Sequence, residues 1–98
     1  MKMAALLAGS AVLVHFLVAP VAAQPSATDL VERLGCRGCH SLKGKGGDRG
    51  PAWDGVGSRL TPEAIKKQIV SPRARMPSFA QLKPEELQVL VEYLSGLK

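Results

Sequence analysis

Eight of the chain's ten glycines fall between Gly35 and Gly57, and both of its cysteines stand at the head of that stretch. No helical or strand period runs through Ser41–Leu60, so this segment is expected to form an irregular loop with isolated turns. A structureless loop of that length is uncommon in a compact domain unless a ligand organises it. The order Cys36-Arg37-Gly38-Cys39-His40 therefore constrains the fold more than any other feature. The chain must wrap a glycine-rich segment around whatever those three side chains hold.

The rest of the chain has little else to build with. At 98 residues it is one domain at most, and residues 1–23 are not expected to belong to it. Lys2 gives a minimal positive start, Met3 to Val18 is almost wholly apolar, and Pro20 is followed by the small residues Val21, Ala22 and Ala23. This is the layout of a secretory signal peptide, with cleavage expected between Ala23 and Gln24. A retained N-terminal anchor is the alternative, although the apolar run is short for a membrane span. Residues 24–98 then form the working domain, near the lower size limit for a self-sufficient core. Its only aromatic residues are Trp53, Phe79 and Tyr93, so a large apolar group is expected to fill part of the interior.

Helical segments flank the loop. Ser26, Thr28 and Asp29 offer N-caps for a first helix, on which Leu30, Val31 and Leu34 share a face; it is expected to run close to the cysteine pair, or into it. In LTPEAIKKQIVSP, Thr61 is the expected N-cap and Pro62 the first helical residue, with Ala64, Ile65, Ile69 and Val70 inward and Pro72 ending the run. In LKPEELQVLVEYLSGLK, Pro84 opens the last helix, Leu87, Leu90, Val91 and Leu94 form its buried stripe, and Gly96 is the expected stop. No stretch alternates well enough to be a strand. The expectation is an all-α fold of three helices around a long loop.

Four chemistries use two cysteines two residues apart. A disulfide between Cys36 and Cys39 would close a very small ring and constrain little chain entropy. A thioredoxin-like redox pair belongs beside a βαβ pattern, and no strands are expected. Structural zinc needs four Cys or His ligands, and residues 24–98 contain only Cys36, Cys39 and His40. The remaining reading is C-x-x-C-H as a c-type haem attachment site. Each thiol adds across one porphyrin vinyl group to form a thioether, and the adjacent His40 presents Nε2 to the iron.

On these residues the chain resembles the class I cytochrome c family, in particular its small bacterial single-haem members, from the helix before Cys36 to the C-terminal helix. The resemblance implies a cytochrome c fold wrapped around one covalently bound haem c. It also implies a methionine, in a loop before the last helix, as the second axial ligand. Met76 in RARMPSF is the only methionine beyond residue 23, and Pro77 disfavours a helical conformation for it. Filling a gap in the core is the plainer use of such a side chain. RGPAW resembles the family segment whose proline carbonyl accepts the proximal histidine's Nδ1–H, which would be Pro51 here. GVGSRL resembles the segment whose arginine reaches a haem propionate, making Arg59 a candidate. Trp53 is a candidate to pack beside the haem or donate to a propionate, with ordinary core packing as the alternative. Tyr93 is expected where the first and last helices cross.

With both axial positions held by protein, no position remains open for a substrate, so the chain is not expected to be an enzyme. The implied role is one-electron transfer in the periplasm. One alternative is a haem relay subunit of a larger oxidoreductase complex; another is a haem sensor or ligand-binding module with a labile Met76. The net charge of +5 is spread over scattered basic residues, which suits acidic-faced redox protein partners better than nucleic acid, with a solvated basic surface that has no specific partner as the alternative. A monomer is expected, touching the membrane only through partner complexes or an uncleaved N-terminus.

Overall fold

The computed structural model describes residues 3–4, 8–17 and 24–98. Helix α1 (Ala27–Leu34) starts at Ser26, whose hydroxyl accepts from the Asp29 N–H at 3.1 Å. It buries Leu30 and Val31 and closes at Gly35, whose N–H bonds back to Glu32 O. The helix thus runs close to the cysteine pair, as expected, without extending into it. Cys36–Gly38 forms a separate 3₁₀ turn.

Helix α2 (Val56–Arg59) is followed by α3 (Pro62–Val70) and α4 (Pro84–Ser95). Thr61 caps α3 by accepting from the Ala64 N–H at 3.1 Å, and Pro62 occupies the first turn as expected. At the start of α4 the Glu86 carboxylate accepts from the Lys83 backbone N–H at 3.1 Å. The same carboxylate pairs with Arg33 of α1, tying the two helices together. Gly96 does end α4, but with φ −79° it lies in the right-handed region rather than the left-handed cap.

Helices α1, α2 and α3 all pack on α4, which makes it the centre of the described fold. The core consists of Leu30, Val31, Trp53, Ile65, Ile69, Leu90, Val91 and Leu94. Only Leu30 is completely enclosed, and Trp53 is the one aromatic residue in the set. A core this thin is what a domain with a large apolar guest can tolerate.

The segment 41–60 departs from the irregular loop expected of it. Strands β1 (Ser41–Leu42) and β2 (Lys45–Gly46) pair antiparallel, Ser41 opposite Gly46 and Leu42 opposite Lys45. Lys43 and Gly44 make the turn with φ of 53° and 75°, the double positive φ that a tight two-residue hairpin requires. Among the described residues helix α2 makes a fourth helix where three were expected. Neither element could announce itself by periodicity, because two-residue strands and a four-residue helix each span only about one period. Helix α2 is held by tertiary contact: the Gly57 N–H donates to Leu97 O at 2.7 Å, and Lys98 Nζ donates to Gly57 O at 3.0 Å. A Cβ on Gly57 would lie 2.1 Å from Ser95 O, so only glycine allows this approach.

Residues 8–17 contain no helix or strand, and Val12, Leu13, Phe16 and Leu17 are exposed. The expected cleavage site at Ala23 lies outside the described residues. Among the described residues no helix is long and apolar enough to cross a membrane.

Candidate functional site

The site starts from the 3₁₀ turn. The N–H groups of Cys39 and His40 both donate to Cys36 O, at 3.2 and 3.0 Å, so the three side chains leave one tight turn. Both cysteines are free thiols. Cys36 is half-buried, and that burial pushes its thiol above its ordinary pKa; Cys39 is exposed.

Segment 47–53 folds back along this turn through three backbone bonds. Gly47 N donates to Arg37 O at 2.9 Å, Gly50 N to Cys39 O at 2.8 Å, and Trp53 N to Ser41 O at 2.8 Å. That path brings the Pro51 carbonyl to His40, where Nδ1 donates to it at 2.7 Å. The bond places the ring proton on Nδ1 and leaves the Nε2 lone pair free for a metal. Gly50 lies against the imidazole so closely that a Cβ there would sit 2.6 Å from Cε1. On another side, Trp53 stacks on His40 with ring centroids 5.3 Å apart and 21° between planes. Tyr93 meets Trp53 edge-on at 6.4 Å, so it braces the tryptophan as well as belonging to α4.

Arg59 brackets Trp53. Its guanidinium donates to Ala52 O at 2.9 Å and to Asp54 O, and so holds the loop on either side of the indole. The Asp54 carboxylate accepts from the Lys43 N–H, joining the loop to the hairpin turn. Arg37, which sequence reasoning passed over, donates to the carbonyls of Leu42 and Lys45 and stitches the hairpin to the cysteine turn. Its Nε is buried without a partner.

Cys36, Cys39, His40, Pro51, Trp53 and Arg59 thus form one connected cluster. Met76 stands on a separate loop between α3 and α4, partly buried and outside any helix. Ser78 Oγ donates to Val70 O at 2.7 Å and Phe79 N to Ile69 O at 3.0 Å, which fastens that loop to the end of α3. The Met76 sulfur accepts from Gln68 Nε2 at 3.7 Å, a contact between residues eight apart that no local motif signals.

The chemistry of this donor set is specific. Among the described residues no three His, Cys, Asp or Glu side chains gather as an ion site. Two free thiols two residues apart beside a histidine oriented through Nδ1 are the attachment set of a c-type haem. The family model for cytochrome c oxidase, cbb3-type, subunit III matches residues 22–94, and the chain belongs to this family. Comparison with curated proteins and with solved structures gives no significant match. Membership brings one covalently attached haem c with its iron and a role in electron transfer. The residues present fit that group: the thiols are unpaired, the imidazole is preset, and Gly50 leaves it room.

Proposed function

We propose that the chain is an exported one-electron carrier, with Cys36 and Cys39 as the thioether attachments, His40 as proximal ligand and Met76 as distal ligand. The observation that carries this reading is the His40 Nδ1 to Pro51 O bond of 2.7 Å, which commits the imidazole to ligation through Nε2. The bound haem supplies an iron that accepts and returns a single electron. The protein's part is to hold both axial donors, so the chain has no open position for a substrate and is not an enzyme. Trp53 shields one face of the proximal ring. Arg59, already turned toward the carbonyls of Ala52 and Asp54, has further N–H groups to offer a propionate.

Residues 1–23 act as the cleaved leader that takes the chain to the periplasm. There the basic surface meets acidic-faced redox proteins in brief contacts, and the mature chain works as a monomer. A second reading, a relay subunit of a larger oxidoreductase, is favoured by the family's own description as an oxidase subunit. Separation by size decides between the two. The carrier elutes from a periplasmic extract as a free protein of the mature chain's mass, whereas a subunit co-elutes with a larger membrane assembly. Attachment is tested by the Cys36→Ala/Cys39→Ala double variant, whose haem should be extractable by acidified organic solvent. Haem that resists extraction from the double variant would refute the thioether assignment.

A further inference from the structure

Three side chains near the end of α3 divide its surroundings. Ile65 and Ile69 enter the core, and Gln68, partly buried, faces the Met76 loop. The neighbours Lys66 and Lys67 are exposed, so Gln68 is the neutral donor on this part of the helix. Its amide Nε2 donates to Met76 Sδ at 3.7 Å, on a loop already held by the bonds from Ser78 and Phe79 to the end of α3.

We propose that Gln68 is a positioning residue for the sulfur ligand, setting both how strongly Met76 donates to the iron and how firmly it stays there. The inference rests on the reading of Met76 as the distal ligand. A thioether sulfur has two lone pairs; the Gln68 N–H takes one and so selects the other for the metal. The same bond withdraws electron density from sulfur, which weakens its donation to ferric iron more than to ferrous iron and raises the reduction potential. It also restrains a side chain with three rotatable bonds, opposing its replacement by an outside ligand.

The test compares the haem-loaded wild type with Gln68→Leu and Gln68→Asn. The asparagine amide is one methylene too short to span a contact already at 3.7 Å, yet it keeps the site polar. Both ferric variants should retain the far-red sulfur-to-iron absorption band and show a lower reduction potential than wild type. They should also bind imidazole about fivefold more tightly, the size expected for loss of one neutral hydrogen bond. Equal potential and equal imidazole affinity in wild type and Gln68→Asn would overturn the proposal. A far-red band that survives unchanged in Met76→Ala would instead remove the ligand reading beneath it, and the two failures are told apart by that variant.

Discussion

Replacing Gly50 by alanine tests how the His40 imidazole is held. Gly50 lies outside the left-handed region, so alanine is acceptable to the backbone and any effect comes from the added methyl group. That methyl would sit 2.6 Å from His40 Cε1, 2.9 Å from Nδ1 and 3.1 Å from Nε2. Non-bonded carbons are comfortable at about 3.5–4.0 Å, so the ring must retreat by roughly 1 Å. Gly50 cannot yield easily, because its N–H is bonded to Cys39 O at 2.8 Å. A retreat of about 1 Å stretches the His40 to Pro51 bond beyond hydrogen-bonding range. Overpacking costs about 1–3 kcal/mol and the lost hydrogen bond about 1 kcal/mol. The stiffer unfolded chain returns about 0.4–1 kcal/mol. The net expectation is destabilisation of about 1–3 kcal/mol in urea unfolding of the haem-loaded protein, with loss of the hydrogen-bonded Nδ1 proton signal of His40. Gly96→Ala is the control: its Cβ would meet only atoms at 3.5 Å, with φ at −79°. If Gly50→Ala is as stable as Gly96→Ala and keeps the His40 proton signal, the steric account of the proximal site is wrong.

Other substitutions probe the frame around the site. The Arg33 guanidinium, helped by the Lys83 N–H, holds the Glu86 carboxyl below its ordinary value of 4.5. A carboxyl depressed on folding adds stability in full above its unfolded pKa, and loses it as pH falls through the folded value. The acid side of a urea-midpoint profile should therefore flatten in Glu86→Gln, and an unchanged profile would contradict the Arg33–Glu86 link. Thr61→Ala removes the cap on the Ala64 N–H and should cost about 1 kcal/mol in the same assay, with Thr61→Ser close to wild type. Gly57→Ala places a methyl 2.1 Å from Ser95 O and should cost more than any of these; near-native stability would mean that α2 does not lie against the end of α4 as described.

What could be read from the chain beforehand followed from local chemistry. Helices α3 and α4 announce themselves through Thr61-Pro62 and Pro84 with their inward aliphatic residues, and both begin where those signals put them. The Cys36, Cys39 and His40 group was legible because its members are adjacent. Pro51 came within reach only through resemblance, since the bond to His40 spans eleven positions. The hairpin depends on positive φ at Lys43 and Gly44, and lysine is not a residue that advertises such a turn. Arg37 and Gln68 could not be singled out at all. Each acts through a carbonyl or sulfur that only the folded chain brings near. Helix α1 runs close to the cysteines as expected, and Gly35 closes it just before them, so that Cys36–Gly38 forms a turn of its own.

The central claim is that the iron lies between His40 and Met76, and the visible spectrum of ferric Met76→Ala beside wild type tests it most directly. The account predicts a far-red sulfur-to-iron band in the wild type that disappears in the variant, while the haem stays covalently attached through Cys36 and Cys39. A variant spectrum identical to wild type would contradict it.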